Sequence, residues 1–231
     1  MTNLNLLSGR VIDLSLPLSS ETGIYPGDPN ISISSARTME KNNINILSMN
    51  MSTHNGTHLD AAYHQLSEGV TLDAIPAEHY INRATKVDLT GSPGGCAEKN
   101  GIKYKREIDA ACLSRHINRM IGSSAAVLYT GYGKVIQSGQ IDTDFPYLTR
   151  DAAELIVERH PELRVLGIDS VTVDAHKQKV AHHTMFKGIP DLIIAETMVN
   201  LDQLPQWFTL LTVPLLVEHS DGSPCRALAI V

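Results

Sequence analysis

Thr149-Arg150-Asp151-Ala152-Ala153-Glu154-Leu155-Ile156-Val157-Glu158-Arg159, followed after a short gap by Val165-Leu166-Gly167-Ile168-Asp169, decides the fold class. The first run reads as a helix, with Thr149 as its N-cap and Ala153, Leu155 and Ile156 among its apolar residues. The second is a short apolar strand ending in a carboxylate, and Ala125-Ala126-Val127-Leu128-Tyr129 upstream is another strand. Strand, helix and strand at this spacing imply a βαβ unit whose strands run parallel. Outward from it, residues 10–16 and 44–51 alternate in polarity, the latter with Ile46, Ser48 and Asn50 set against Leu47, Met49 and Met51. Between them, Pro17, Pro26 and Pro29 with Gly23 and Gly27 mark turns. Residues 193–195, 210–217 and 226–231 are further strand candidates, and 90–101 reads as a loop, the most flexible element of the chain. The expectation is a mixed α/β domain with a mixed sheet, spanning 1–231 as one unit.

Composition narrows the function classes. The chain has 231 residues, 42% hydrophobic and 19% charged, which is ordinary for a globular protein with a sizeable core. A formal net charge of -6 and the lack of a basic stripe argue against a nucleic-acid partner. The densest positive run, Lys103, Lys105 and Arg106, is followed at once by Glu107 and reads as a solvated loop. No apolar run approaches the roughly 20 residues of a membrane span, and Met1-Thr2-Asn3-Leu4-Asn5 lacks the features of a secretory signal. Cys96, Cys112 and Cys225 are odd in number and far apart, so a reducing cytoplasm is expected rather than a disulfide scaffold.

The chemistry concentrates in His54-Asn55-Gly56-Thr57-His58-Leu59-Asp60-Ala61-Ala62-Tyr63-His64. Asn55-Gly56 is a turn signal, because glycine tolerates positive φ. A chain reversing there can aim His54 and His58 at one point. If a helix starts at Asp60, that carboxylate and His64 share a face. Imidazoles with a carboxylate suit Zn²⁺, Mn²⁺ or Fe²⁺. A second concentration follows: His176, His182, His183 and Glu196, with Asp169 and Asp174 at and beyond a strand end. A histidine and a glutamate from this group could complete the first ion's shell or hold a second ion. His183 is the expected histidine, because Met185 and Phe186 follow it as a buried face. No Gly-x-Ser-x-Gly nucleophile motif is present, and Gly131-Tyr132-Gly133-Lys134 lacks the spacing of a phosphate loop and reads as a turn.

The clustered segment resembles the His-x-Gly-Thr-His-x-Asp-x-Pro-x-His signature of the cyclase-like metal hydrolases, which include bacterial kynurenine formamidase and isatin hydrolase. Ile12-Asp13-Leu14-Ser15, Tyr25-Pro26-Gly27-Asp28-Pro29, Thr130-Gly131, Gly167-Ile168-Asp169, Asn200-Leu201-Asp202 and Asp221-Gly222-Ser223-Pro224-Cys225-Arg226-Ala227 resemble its other motifs, in order. The resemblance implies a swivelling β/β/α fold in homodimers or homotetramers. It implies metal ligands His54, His58 and Asp60, completed by His183 and Glu196 around one or two zinc or manganese ions, and His64 as general acid/base. Three departures stand out. Ala62 replaces the signature proline, Thr172 replaces a serine, and the interval from His183 to Glu196 is one residue longer than the family's, which leaves His182 as the alternative ligand.

The expected reaction is therefore hydrolysis of an amide (an aryl formamide or cyclic amide) or a lactone in a small-molecule substrate. Metal-activated water attacks, and His64 moves the proton. A non-haem iron oxygenase built on His58, Asp60 and a distant histidine is one alternative. A metal-stabilised binding protein without catalysis is the other. Tyr25, Tyr63, Phe186 and Trp207 are the aromatic candidates for a substrate wall.

Overall fold

The structure, a computed structural model, describes residues 9–231, so Met1-Thr2-Asn3-Leu4-Asn5 and its signal-free reading lie outside it. In chain order, β1 (Val11–Asp13) precedes a hairpin of β2 (Ser32–Arg37) and β3 (Ile46–Asn50), with α1 (Met39–Asn42) in its loop. There follow β4 (His58–Asp60), β5 (Ile81–Asp88), a second hairpin of β6 (Cys96–Lys99) and β7 (Ile102–Lys105), β8 (Glu107–Ile108) and α2 (Ala110–Ser114). Next come β9 (Ala125–Tyr129), α3 (Gly133–Gln137), β10 (Tyr147–Leu148), α4 (Arg150–Arg159) and β11 (Val165–Ile168). The chain ends with α5 (Ala181–Gly188), β12 (Ile193–Glu196), β13 (Trp207–Pro214) and β14 (Gly222–Ile230).

One mixed sheet runs β1-β14-β13-β5-β9-β11-β12-β4, and β4 pairs again with β14. The long β14 makes this possible. Its residues Cys225–Ile230 pair with β13, while Gly222, Ser223 and Pro224 pair with β4, closing seven strands into a ring with β1 added outside. The expected βαβ unit is present: β9 and β11 are parallel neighbours, and β5 and β12 extend the parallel set on either side.

Double burial explains why the parallel strands read as unbroken apolar runs. Ala125, Val127, Val165, Ile193 and Ala195 pack with Leu59, Ala84, Leu210, Ala227 and Ala229 inside the ring. The intervening Ala126, Leu128, Leu166, Ile168 and Ile194 pack outward against Ala152, Ala153 and Ile156 of α4 and Met185 and Phe186 of α5. Alanines at five inward positions leave room for Leu59, Leu210 and the β-branched residues to fill so small a ring. Full burial of a side chain such as Ile156 contributes about 1.5–3 kcal/mol.

Several local expectations change. Residues 90–101 are not a bare loop. Their second half is β6, and Asn100 (φ 50°) and Gly101 (φ 78°) form the two-residue turn into β7 that Asn-Gly favours. β3 pairs only with β2, apart from the ring, and its residues are exposed along their length. The helix expected from Asp60 does not form, since Asp60 ends β4 and a three-residue 3₁₀ turn, Ala62–His64, follows. At Gly131-Tyr132-Gly133, by contrast, the expected turn is present, and the amides of Thr130, Gly131 and Gly133 all donate to the Asp169 carboxylate. Among the described residues, no helix is long and apolar enough to cross a membrane.

Candidate metal centre

The site sits where β4 crosses between β12 and β14. Gly56 turns the chain at φ 69°, and a Cβ there would lie 2.4 Å from Leu18 Cδ2, so both the backbone angle and the space favour glycine. That turn folds His54 back until its ring lies 5.2 Å from that of His58. His58 is the direct cross-strand partner of Glu196, and Asp60 is opposite Gly222 on the other side. Opposed residues in a ladder share a face, so the sheet register itself brings His58 and Glu196 together. The first turn of α5 adds His182.

The contacts are short and buried. His58 Nε2 lies 3.3 Å from Asp60 Oδ1 and 3.5 Å from Glu196 Oε2. His182 Nε2 lies 2.9 Å from Asp60 Oδ2 and 3.3 Å from Glu196 Oε1. His54 bridges two carboxylates, Nδ1 to Asp60 Oδ1 at 2.8 Å and Nε2 to Asp221 Oδ2 at 2.8 Å. His64 stands at the mouth, its Nδ1 3.4 Å from the same Asp221 oxygen and its ring 4.1 Å from that of His54. Two groups of ligand atoms, His54–Asp60–His64 and His58–Asp60–Glu196, each converge within 4.8 Å and share Asp60.

Hydrogen-bond bookkeeping tests whether a cation fits. His58 Nδ1–H donates to Gly56 O at 2.9 Å, and His182 Nδ1–H donates to Asp174 Oδ2 at 2.7 Å. With Nδ1 committed in both rings, each neutral imidazole turns its Nε2 lone pair toward Asp60 and Glu196, which are also acceptors. Lone pairs facing lone pairs in a buried site require a cation between them, a proton or a metal ion.

The titration behaviour expresses the same demand. Burial alone would lower the pKa of His54, but the Asp60 charge and hydrogen bonds to Asp221 and Asp60 raise it to about 9. Against the same burial, Asp60 and Glu196 raise His58 to about 10. Burial favours a neutral Asp60, yet His58, His54 and His182 hold it well below the usual carboxylate range. Hydrogen bonds from His54 and His64 lower Asp221 likewise.

The expected His183 takes no part in these contacts; its neighbour His182 occupies the site. Adjacent helix residues point about 100° apart, so only one of the pair can face inward. The buried stripe of α5 is His182, Met185, Phe186 and Ile189, the i, i+3, i+4, i+7 pattern counted from 182. Asp169 serves the Thr130–Gly133 turn instead, and His176 Nδ1 lies 3.2 Å from the Tyr25 hydroxyl. Asp221 carried no assigned role in the sequence, although it lies in one of the quoted motifs; the structure makes it the shared partner of His54 and His64.

A cavity of about 290 Å³ opens over the cluster, lined by Tyr25, His64, Gln65, Thr172 and the 177–179 segment as well as the ligand-type residues. Of the aromatic candidates, Tyr25 lines it. Phe186 is buried beside His182, Tyr63 is largely exposed, and Trp207 stacks under Arg83 on β13.

Comparison with known proteins follows the same lines. The model of the family described as "Putative cyclase" matches residues 12–175. A kynurenine formamidase of Bacillus thuringiensis (strain Al Hakam) is 29% identical over 220 residues, covering 94% of this chain and 95% of its own. One from Bacillus anthracis is 28% identical over 224 residues, covering 95% and 97%. Isatin hydrolase A from Ralstonia solanacearum shares the fold with a TM-score of 0.77 at 22% identity, covering 96% of this chain and 92% of that one.

Proposed function

The chain belongs to the cyclase family, and from that premise we propose that it is a metal-dependent hydrolase of carbon–nitrogen bonds other than peptide bonds. Its substrates are small aryl formamides or cyclic amides, with lactones as the oxygen counterpart. The observation that carries this reading is the pair of Nε2 lone pairs, on His58 and His182, aimed with the Asp60 and Glu196 carboxylates into one buried volume. The relatives named kynurenine formamidase and isatin hydrolase support it.

His54, His58, Asp60, His182 and Glu196 would hold zinc or manganese, since imidazole and carboxylate without thiolate suit both. The bound cation supplies Lewis acidity toward a carbonyl and toward water. Asp60 stands between the His54 side and the His58, His182 and Glu196 side of the cluster, a geometry that accommodates one ion or two. His64 is the general acid/base. Asp221 accepts from its Nδ1–H, so Nε2 is the atom that takes a proton from attacking water and returns it to the leaving nitrogen. Burial around Asp60 and Glu196 excludes bulk water from the floor, while the cavity mouth at His64 admits substrate.

Assembly as a homodimer or homotetramer belongs to the same reading, supported by the exposed Leu47 and Met49 on the isolated hairpin. So does a cytoplasmic location, supported by the three unpaired cysteines. The test is His64→Ala in the metal-loaded protein, assayed on formanilide and on isatin. Metal content stays at the parent level while turnover falls about 10²- to 10⁴-fold. Turnover within a few-fold of the parent would remove His64 from the reaction, and dependence on O₂ would replace hydrolysis by oxygenation.

A further inference from the structure

Lys177, Gln178 and Lys179 line the cavity alongside the histidine cluster, within the segment 175–180 that leads from the β11 side of the sheet into α5. Both ends of this segment are tied to the cluster. The amide of Val173 donates to Glu196 Oε1 at 2.7 Å, and the Asp174 carboxylate holds His182 and the amide of Ala181. At its centre Lys177 takes φ 59°, a conformation that costs a residue with a side chain about 1 kcal/mol or more. Its amide donates to the Tyr25 hydroxyl at 3.1 Å, and that hydroxyl also meets His176 Nδ1. The strain therefore persists in a stretch fixed at both ends and in the middle.

Lys177 and Lys179 both line the cavity, and no carboxylate lies within ion-pairing distance of either among the described residues. Of the four carboxylates in the lining, Asp60, Asp174 and Glu196 are buried and paired with His58 and His182, which leaves Asp28 as the one at the rim. The two exposed lysines outnumber it, so the rim is net positive within a chain whose formal net charge is -6. A rim of this sign, above a floor that binds a carbonyl, suits a substrate with charge at one end and the scissile amide at the other.

We propose that Lys177 and Lys179 select substrates bearing a carboxylate, holding that anion at the rim while the amide reaches the His64 side of the cavity. This deepens the hydrolase reading and rests on it for the scissile end only; recognition of the anion needs no turnover. Exposed ammonium–carboxylate contacts are screened and individually modest, so the two lysines together are worth about tenfold in selectivity.

The experiment uses two arms on the metal-loaded protein and its Lys177→Met/Lys179→Met variant. In the first, kcat/KM is measured for 2-formamidobenzoate and for formanilide, which differ by the carboxylate. The ratio of the two falls about tenfold in the variant, and in the parent it shrinks as NaCl is raised from about 20 mM to about 500 mM, over which the Debye length shortens from about 20 Å to about 4 Å. In the second arm, binding of 2-aminobenzoate and of aniline is measured by calorimetry, and the preference for the anion falls by the same factor. A ratio unchanged within twofold in both arms overturns the proposal. Anion-selective binding by a protein that cleaves neither amide upholds it and overturns the hydrolase reading instead. A circular dichroism spectrum and melting curve matching the parent's show that the variant is folded, and Lys177→Glu, which should depress the ratio further, checks the sign of the effect.

Discussion

Replacing Asp174 by asparagine isolates the role of a residue that touches the centre only through His182. The carboxylate works with both oxygens: Oδ1 accepts from Ala181 N at 2.5 Å and Oδ2 accepts from His182 Nδ1–H at 2.7 Å. Both side chains of the pair are buried, at 2% and 5% exposure. An asparagine offers one acceptor oxygen and a second atom that can only donate, so one of the two N–H groups loses its partner. A buried donor left unsatisfied costs about 1–3 kcal/mol, which is about 5- to 150-fold in an equilibrium constant. Loss at His182 frees its tautomer and ring orientation and weakens metal binding about 10- to 100-fold. Loss at Ala181 frees the first turn of α5 and lowers the melting temperature by about 2–4 °C per kcal/mol. Manganese titration of stripped Asp174→Asn protein, with a melting curve in parallel, reads both. Affinity within twofold of the parent together with an unchanged melting temperature would refute the reasoning, because one unpaired donor has to appear in one measurement or the other.

Exchange of the adjacent histidines separates the two candidate ligands: His182→Ala should abolish stoichiometric metal binding, whereas His183→Ala should stay within about twofold of the parent; equal effects by calorimetry would contradict the placement. Gly222→Ala adds a Cβ 2.6 Å from Leu59 O and 2.7 Å from His54 Cε1, so β4 and His54 must shift, at about 1–3 kcal/mol of stability. A parent-like melting curve and metal content in that variant would show that His54 is not packed there. Alkaline pH gives a further check through Tyr80, Tyr104 and Tyr132. Burial raises all three, Tyr80 to about 12 with help from Asp73. The unfolded chain loses these protons near pH 10 while the folded one keeps them. Their contribution to stability is therefore complete below pH 10 and declines toward pH 12, by about 1.4 kcal/mol per pH unit for each tyrosine. Tyrosinate absorbance should rise for these groups together with unfolding; gradual titration near pH 10 in a still-folded protein would count against their burial.

Where a residue's environment is set locally, the sequence could be read closely. The apolar runs at 125–129 and 165–168 and the helix between them are found as expected, because burial on both faces leaves a pattern that any window over them contains. The grouping of His54, His58 and Asp60 was legible for the same reason, since Gly56 makes the reversal within a few residues. Closure of the ring was not legible. It depends on β14 dividing its pairing between β13 and β4, a long-range choice that no local pattern records. The inward-facing histidine of α5 is legible in the spacing: counting the buried stripe backward from Phe186 and Met185 by four and three lands on 182, whereas a stripe begun one residue later points to His183. Asp221 was harder, because its partners His54 and His64 lie more than 150 positions away. The Asn100-Gly101 hairpin was missed because the glycines at 91, 94 and 95 drew the whole stretch into one loop, although Asn-Gly itself was the signal.

The most direct measurement is anomalous diffraction from crystals of the stripped protein soaked in manganese or zinc and collected on either side of the metal's absorption edge. The account predicts a peak within coordination distance of His58 Nε2, His182 Nε2 and the carboxylates of Asp60 and Glu196, with His183 outside it. A map with no peak there at saturating metal, and those four side chains still in direct contact with one another, would contradict it.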